Sequence, residues 1–373
     1  MSKICKENQC GKKTSIGGQA LIEGIMMRGP KVTAMAVRNP QGEIVLEKWE
    51  TQAVSKSKLA RLPLIRGVFG FINSMVFGYK CLMRSAEIAG LEEVDSKPKN
   101  KEQTVTDESA DVVTETADAA SDGEEKPDAV CEEKDASEKP EKKEKKEESS
   151  ALMTGIMIVA TVLGVALAVG LFVLLPTYIY KWCASVMPFL SSSNTALNSL
   201  IKSVFEGVLR IAVLVAYMSL VSLMKDIRRT FQYHGAEHKT IFCYEHNQEL
   251  TVENVRKEGR FHPRCGTSFL ILMLLVGIFI SFFIDPLFIA LTGDVPSTLI
   301  RGLLKLVLVP LTMGIGYELI KFAGRHDNLF TRIISAPGRW LQRITVREPT
   351  DDMIECAIAA FKEVIPEDES DRY

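Results

Sequence analysis

Two histidines and a glutamate near the middle of the sequence have the spacing of a metal-binding helix. His234 and His238 are four positions apart, with Glu237 beside them, in the order H-x-x-E-H. On an α-helix, residues i and i+4 share one face, so both imidazoles can bind the same divalent ion. An adjacent carboxylate can accept a proton from a water that such an ion activates. Five letters alone are weakly specific, but these lie between two apolar segments, and that setting favours a functional site.

The surrounding residues supply further candidate ligands. Four of the five histidines in the chain lie between positions 234 and 262. In a catalytic site a third ligand would join His234 and His238, and Glu237 would act as the general base. The candidates for the third ligand are His262, Cys265 and Glu318, the last because a carboxylate in an apolar segment is costly without a partner. Zinc is the expected ion, because it binds imidazole and thiolate.

Two other interpretations of this segment stay open. Cys243-x-x-His246 and His262-x-x-Cys265 have the spacing of a closed, structural zinc site with four protein ligands. Alternatively, the segment holds no metal, and its histidines bond to backbone and carboxylate groups beneath the membrane. His262 and Cys265 belong to both metal-binding interpretations, so the two sites compete for them.

Residues 15–50 are predicted to form a small strand-rich unit. Residues 32–38 have the pattern of a strand, residues 39–42 (NPQG) are typical of a turn, and residues 43–49 return as the second strand of a hairpin. Glu23 and Arg28 lie among glycines, where they could converge on a ligand. A buried salt bridge is the simpler interpretation of these two residues.

Charge divides the chain unevenly. The overall charge of −2 conceals 21 acidic residues and 10 lysines between positions 91 and 150, a net charge of −11, so the rest of the chain carries +9. The 91–150 composition predicts a disordered linker, and the polar residues 1–14 predict a disordered tail. The basic, apolar remainder suits the cytoplasmic face of an anionic membrane better than nucleic acid, because no basic stretch interleaves aromatic residues. Eight scattered cysteines favour a reducing compartment.

Four apolar segments predict four transmembrane helices within a membrane domain of residues 151–324. The segments are 151–180, 201–224, 266–284 with a further turn to 291, and 299–322. A bilayer core of ~30 Å requires about 20 apolar residues in a helix. The fourth segment has only twelve uncharged residues at its centre, so its charged ends must reach the two surfaces. The predicted fold class is an α-helical polytopic membrane protein with a small strand-containing N-terminal unit.

The flanking segments are predicted to lie at the membrane surface. Residues 59–89 have a helical pattern whose uncharged middle, thirteen residues from Gly67 to Tyr79, is too short to span a bilayer. They complete an N-terminal unit of residues 15–90. Residues 325–373 are predicted to form cytoplasmic helices: an amphipathic segment at 331–344 and a helix that begins at Asp351 and ends near Ile365. The apolar face of that second helix consists of Ile354, Ala357, Ile358 and Phe361.

Loop charges orient the predicted spans. The 225–265 segment carries eight Lys or Arg residues and the segment after residue 322 adds more, whereas the 181–200 loop has only Lys181. Positively charged loops stay in the cytoplasm. We therefore expect a multi-pass plasma-membrane protein with the 225–265 segment and both termini inside.

Six stretches of the sequence resemble the bacterial YqhQ-type membrane proteins, a family with a domain of unknown function. The stretches are GGQALIEGIMMRGP (17–30), YHGAEHKTI (233–241), ELTVEN (249–254), RFHPRCGTSFL (260–270), GYELIKFAG (316–324) and LQRITVREPTDD (341–352). The resemblance implies a metal-dependent membrane enzyme whose substrate is not established. The 91–150 linker is longer and more charged than is typical of the family.

These observations predict metal-assisted hydrolysis or group transfer on a lipid-linked or membrane-protein substrate at the cytoplasmic face, with a divalent ion, zinc, as cofactor. The bilayer is the expected partner, nucleic acid is not, and the sequence does not indicate the oligomeric state. The alternative function is a non-enzymatic membrane scaffold, in which a structural zinc or no metal is present and the basic surfaces bind a protein partner.

Overall fold

The computed structural model of the chain describes residues 13–51, 62–90, 159–190, 194–326, 328–368 and 370–372. The predicted linker at 91–150 and residues 1–12 of the predicted tail fall outside these ranges. By its contacts the chain divides into one unit of residues 1–94 and 167–373 and a second unit of residues 95–166. The sheet, the candidate site and the helices that position them belong to the first unit.

A four-stranded antiparallel sheet forms the N-terminal part of this unit. Its strands are β1 (Gly17–Leu21), β2 (Gly24–Arg28), β3 (Val32–Arg38) and β4 (Ile44–Glu50), and they lie side by side in chain order. The predicted hairpin is confirmed as β3 and β4. Gly42 closes its turn with a φ of 90°, which glycine adopts without steric cost. Strands β1 and β2 extend the hairpin to a meander, which the glycine-rich sequence of residues 17–29 does not by itself predict.

Helices cover both faces of the sheet. One face packs against α4 (Lys225–Glu245) and α10 (Asp351–Lys362) through Ile25, Met27, Ala34 and Ala36. The other face packs against α1 (Ile65–Ile88) through Leu21, Met26, Met35 and Val37, around the buried Cys81. Alternate side chains of a strand point to opposite faces, so consecutive residues of β2 and β3 build two separate cores.

Helix α4 is the buried centre of the unit, and α10 packs against it. The predicted helical placement of His234 and His238 is confirmed, and the segment around them is almost wholly buried. All four residues of the apolar face predicted for α10 are buried, and Asp351 and Asp352 lie in its first turn, where acidic side chains stabilise a helix. A short helix, α5 (Val252–Lys257), follows α4.

Thr14 differs from the prediction of a disordered tail. It is buried, its N–H donates to Glu245 Oε1 over 2.8 Å, and its hydroxyl donates to Asp371 Oδ2 over 2.7 Å. The reason is that the end of α4 and the C-terminal residues offer two carboxylates to one small polar side chain. The segment before the sheet is therefore tied to α4 from Thr14 onward.

Three helices are long and apolar enough to cross a membrane: α2 (Val159–Val186), α3 (Thr195–Val221) and α6 (Gly266–Thr292). A fourth candidate consists of α7 (Thr298–Val307) and α8 (Val309–Arg325), which meet at a bend of 45°. The described part of the chain thus has three candidate spans, or four if the bent pair is one span. By length and composition these helices indicate a membrane protein.

Two prolines mark differences from the predicted spans. The fourth segment, predicted as one helix, is broken near Pro310, which occupies the first turn of α8, where a missing N–H costs little. By contrast, α6 continues through Pro286 to Thr292, although the sequence predicts a helix that ends at residue 284 and a further turn to residue 291. A single missing N–H is tolerated in a membrane helix when neighbouring groups satisfy the freed backbone.

Two amphipathic helices, α1 and α9 (Leu329–Thr345), are not among the candidate membrane spans. On α1, one face exposes apolar side chains that include Ile72, Met75 and Val76. Helix α9 exposes Leu329, Phe330, Ile333 and Trp340, while Gly338 and Leu341 are buried. An apolar face of this kind on a helix that does not span suits the membrane interface, as predicted for both segments.

Candidate metal centre

Ligand atoms of three side chains converge on α4. His234, His238 and Cys265 each offer one such atom, and these atoms all lie within 4.8 Å of one another. The two histidines are one turn apart, and Cys265 immediately precedes α6, so the group links the buried helix to a candidate span. No other group of His, Cys, Asp and Glu side chains in the described residues meets this spacing.

Backbone carbonyls orient both imidazoles. His234 Nδ1 lies 3.0 Å from the carbonyl oxygen of Thr345, and His238 Nδ1 lies 2.6 Å from that of Arg260. A carbonyl only accepts, so each Nδ1 carries a proton, and a neutral imidazole then has its lone pair on Nε2. His238 Nε2 is buried and has no hydrogen-bond partner within the described residues. A buried acceptor without a donor is costly, and a metal ion would bind this lone pair.

His234 and Cys265 form a strongly coupled pair. His234 Nε2 lies 3.1 Å from Cys265 Sγ, and the Thr267 hydroxyl lies 3.1 Å from the same sulfur. Burial alone would raise the pKa of the Cys265 thiol, but the neighbouring histidines, His234 above all, lower it well below its usual value. Burial opposes protonation of His234, yet the neighbouring sulfur outweighs it and raises the pKa of His234 to about 9. The pocket therefore stabilises a thiolate with positive charge beside it.

The donor set fits zinc. Imidazole nitrogen and thiolate sulfur are both zinc ligands, and a catalytic zinc has three protein ligands with a fourth position open. Tetrahedral zinc, with Zn–N near 2.05 Å and Zn–S near 2.3 Å, places N and S about 3.6 Å apart. Here His234 Nε2 and Cys265 Sγ are 3.1 Å apart. A movement of roughly half an ångström between these side chains would accommodate the ion.

Glu237 is buried next to this group, between the sheet and the histidines. Its Oε1 accepts a 3.0 Å hydrogen bond from the N–H of Gly18 on β1. A Cβ at Gly18 would lie 2.7 Å from the carbonyl oxygen of Met26 and 3.1 Å from Glu237 Cδ, so only glycine allows the strand this close. Burial raises the pKa of the Glu237 carboxyl, and the two histidines only partly offset this effect. A carboxylate with a raised pKa is better matched to accept a proton near neutral pH.

His262, one of the predicted third ligands, lies beside the group but contacts other partners. Its ring centre is 5.6 Å from that of His238, while its Nε2 is 3.6 Å from Glu245 Oε2 and 3.3 Å from Arg264 Nη2. Burial lowers the pKa of His262 to about 4, although Glu245 acts in the opposite direction. A neutral His262 is thus packed between a carboxylate and a guanidinium. The structure brings Cys265, rather than His262, to the two histidines of α4.

The four side chains of the predicted structural zinc site are not gathered into one group. Cys243 is buried with its sulfur 3.5 Å from the carbonyl oxygen of Glu249, and His246 Nδ1 lies 2.9 Å from Glu258 Oε2. Burial raises the pKa of the Cys243 thiol to about 11, which disfavours the thiolate that zinc requires. Cys265 alone of the four belongs to the converging group.

The remaining candidate residues are engaged in other contacts. Glu318 forms a bidentate ion pair with Arg66 of α1, with N–O distances of 2.6 and 2.5 Å. Glu23 pairs with Arg229 of α4 and lies 3.3 Å from the Tyr233 hydroxyl. Glu23 therefore forms a partly exposed salt bridge with Arg229 of α4, whereas the sequence predicts a buried one. Arg28 ends β2, where it pairs with Gly17 in the ladder.

Several groups that complete the site are backbone atoms, which residue types alone do not reveal. They are the carbonyl oxygens of Arg260 and Thr345 and the N–H of Gly18. Gly235 also matters, because a Cβ there would lie 1.9 Å from the carbonyl oxygen of Arg347. This glycine lets the chain after α9 approach α4 closely enough for Thr345 to bond His234. Four of the stretches that carry the family resemblance, 17–30, 233–241, 260–270 and 341–352, contain these contacts.

Comparison with known proteins agrees with that resemblance. A curated relative, "Uncharacterized protein YqhQ" of Bacillus subtilis (strain 168), is 29% identical over 353 residues, which cover 94% of this chain and 92% of the relative. No solved structure matches the chain. The family model described as "Protein of unknown function (DUF1385)" matches residues 62–367, which include every ligand of the candidate centre. The chain therefore belongs to the DUF1385 family.

Proposed function

We propose that this protein is a metal-dependent membrane enzyme that catalyses hydrolysis or group transfer on a lipid-linked or membrane-protein substrate. The observation that carries the proposal is the three-ligand group of His234, His238 and Cys265, with the buried Glu237 next to it. Three protein ligands leave one coordination position for water or substrate, as in catalytic zinc sites. Zinc is the ion that this donor set favours.

The chain's own residues have separate roles in the proposed reaction. When bound, the ion would supply Lewis-acid chemistry by polarising a water or a substrate oxygen. Glu237 would accept the proton released in that step. The N–H of Gly18 holds the Glu237 carboxylate in place, and the carbonyl oxygens of Arg260 and Thr345 hold the two imidazoles with Nε2 toward the group. Fixed positions of this kind reduce the reorganisation that the transition state requires.

The position of the site supports a membrane-associated substrate. Cys265 immediately precedes α6, the candidate span Gly266–Thr292, so the centre lies at the end of an apolar helix. The exposed apolar side chains of α9 lie on a neighbouring element, which packs on α6 where Gly338 meets Ser268. A substrate with an apolar anchor could reach the centre along this surface without leaving the interface.

The orientation that we propose places the centre and both termini on the cytoplasmic side of the plasma membrane. The charge bias between the 225–265 and 181–200 segments supports it. A cysteine introduced at Ser192 should react with an impermeant maleimide added outside intact cells, and one introduced at Lys257 should react only after permeabilisation. Labelling in the opposite order would reverse the proposed topology.

The rival function is a scaffold, in which zinc only holds the segment between α4 and α6 in place. An open coordination position at the zinc distinguishes the enzyme from this scaffold. Purified protein should contain about one zinc per chain, and cobalt-substituted protein should absorb through thiolate-to-metal charge transfer. Added azide should shift that spectrum if the fourth position is open. A cobalt spectrum that azide leaves unchanged would indicate a closed, structural site, and protein purified without metal would overturn both metal-based functions.

A further inference from the structure

A second group of buried charges lies at the far end of the candidate spans from the metal centre. This cationic cluster consists of Lys202, Arg210, Arg301 and Lys305 with the carboxylates Glu206 and Asp285. Lys202 lies near the N-terminal end of α3, and the metal-binding helix α4 begins only after α3 ends. At 1.5 Å per residue, the 19 residues from Lys202 to Val221 span about 30 Å, the thickness of a bilayer core.

Glu206 is the centre of one half of the cluster. Its side chain is 1% exposed, and it accepts hydrogen bonds from Thr177, Arg210 and Lys305, each over 3.1 Å. Arg210 also donates through Nε to the carbonyl oxygen of Phe172 over 3.1 Å, within the π-helical turn of α2. These contacts assign one carboxylate to two closely bonded cations, Arg210 and Lys305.

Asp285 is the centre of the other half. It is buried and forms a bidentate pair with Arg301, over 2.7 and 2.5 Å, and it accepts a hydrogen bond from the Ser199 hydroxyl. The planar guanidinium matches a carboxylate in this geometry, so Asp285 and Arg301 neutralise each other. No excess negative charge from this pair is left for the rest of the cluster.

The cluster carries more positive than negative charge. Four cations face two carboxylates, which leaves a net charge of +2 among these six side chains. At the exposed rim, Lys181 donates to the Thr298 hydroxyl over 3.1 Å, so it bonds a neutral group rather than either carboxylate of the cluster. A buried excess of positive over negative charge among apolar helices is costly. An anion bound at the cluster would remove this cost.

Lys202 is the cation with the weakest pairing. Its Nζ is 4.0 Å from Glu206 Oε1, beyond hydrogen-bond distance, and lies 5.9 Å from the centre of the Tyr180 ring. The Lys202 side chain is 13% exposed and that of Lys305 is 20% exposed. A lysine ammonium has three donors. Within the described part of the chain, Lys202 uses none of its donors in a hydrogen bond and Lys305 uses one, so both can donate to a further acceptor.

An apolar groove of about 500 Å³ lies on α3 beside Phe205, whose ring packs on Tyr180, the tyrosine that Lys202 approaches. It is lined by Leu190, Ile201, Val204, Phe205 and Val208, among other apolar side chains. Tyr180 connects the groove to the cluster: its ring packs 5.6 Å from that of Phe205, and its hydroxyl donates to the carbonyl oxygen of Leu190. Val204 and Val208 are exposed, so the groove opens toward the lipid side of α3.

We propose that the cationic cluster and the groove together bind an anionic phospholipid. The groove takes an acyl chain, and Lys202 and Lys305 bind the phosphate of the headgroup. The excess of positive charge selects an anionic lipid over a zwitterionic one. The apolar groove selects a lipid over free phosphate, because an inorganic anion would contact the lysines alone.

The proposal can be tested on the full-length protein in maltoside detergent by native mass spectrometry, with phosphatidylglycerol and phosphatidylcholine as probes. The wild-type protein should retain phosphatidylglycerol preferentially. Lys202→Gln should weaken phosphatidylglycerol binding by about fivefold and leave phosphatidylcholine binding unchanged, because one cation near a phosphate is removed. Lys202→Arg should preserve the preference.

The control is Lys181→Gln, which removes an exposed lysine at the same end of the spans. It should bind phosphatidylglycerol like the wild type, with an unchanged thermal unfolding temperature. Equal affinity of the wild type for both lipids, or an equal loss in Lys181→Gln and Lys202→Gln, would overturn the proposal. Displacement of phosphatidylglycerol by inorganic phosphate alone at millimolar concentration would also overturn it, since the cluster would then be a site for a free anion. If Lys202→Gln fails to fold, Lys305→Gln takes its place in the comparison. Lys305→Gln should then lose the preference for phosphatidylglycerol, whereas Lys202→Arg should keep it.

Discussion

Replacing His238 with alanine should remove most of the zinc from the purified protein. The imidazole supplies one of the three converging ligand atoms, and its Nε2 is the buried acceptor that has no hydrogen-bond partner within the described residues. Changes in groups that merely support metal ligands cost about 10–100-fold in affinity, so the loss of a ligand should exceed about 100-fold. His234→Ala should have the same effect, because its Nε2 faces Cys265.

His262→Ala and Cys243→Ser are the matched controls. Both residues are buried histidine or cysteine side chains close to the site in sequence, yet the structure pairs His262 with Glu245 and points Cys243 at a backbone carbonyl. We expect both variants to keep their zinc, with His262→Ala unfolding at a lower temperature because Glu245 loses a neighbour. Zinc is measured by mass spectrometry of the metal, and folding by thermal unfolding of the same samples.

These four variants separate the interpretations of the histidine-rich segment. A four-ligand structural site would lose zinc in Cys243→Ser and His262→Ala. A catalytic site would lose it in His234→Ala and His238→Ala. Full zinc content in both α4 variants would leave these histidines as polar packing groups and would remove the basis of the proposed enzyme.

The histidines of α4 could be predicted because a helical repeat is a local property. An i,i+4 pair faces one side whatever the rest of the chain does, and the same logic placed the apolar face of α10 correctly. The candidate spans follow from composition in a similar way. Such features are encoded within one helix, so the sequence of that helix is sufficient to predict them.

The third ligand could not be chosen from the sequence, because His262 and Cys265 are only three residues apart. Their difference arises from contacts with distant elements: Glu245 at the end of α4 engages His262, whereas the carbonyl oxygen of Thr345 turns His234 toward Cys265. The edge strand β1 could not be predicted from the sequence either. Its glycines have little strand propensity, and it forms because α4 and β2 pack against it.

Glu237→Gln should leave the metal and the fold intact while abolishing function. Glutamine keeps the shape of the side chain and an oxygen that can accept the hydrogen bond from Gly18, but it cannot accept a proton. Proton transfer by a positioned side chain contributes about 10²–10⁴-fold to a rate, so a strain lacking the native gene should not be complemented by this variant. Zinc content should match that of the wild type. The unfolding temperature should be equal to or higher than that of the wild type, because burial makes the carboxylate form of Glu237 costly.

The matched control for Glu237→Gln is Glu258→Gln. Glu258 is also a largely buried carboxylate with a histidine partner, His246, but it lies outside the converging group. It should complement the deletion, which would show that loss of a buried negative charge near the membrane is not itself harmful. If Glu237→Gln also complemented fully while retaining zinc, proton transfer at this position would be unnecessary. The centre would then act by holding α4 against α6, and the scaffold function would replace the enzyme.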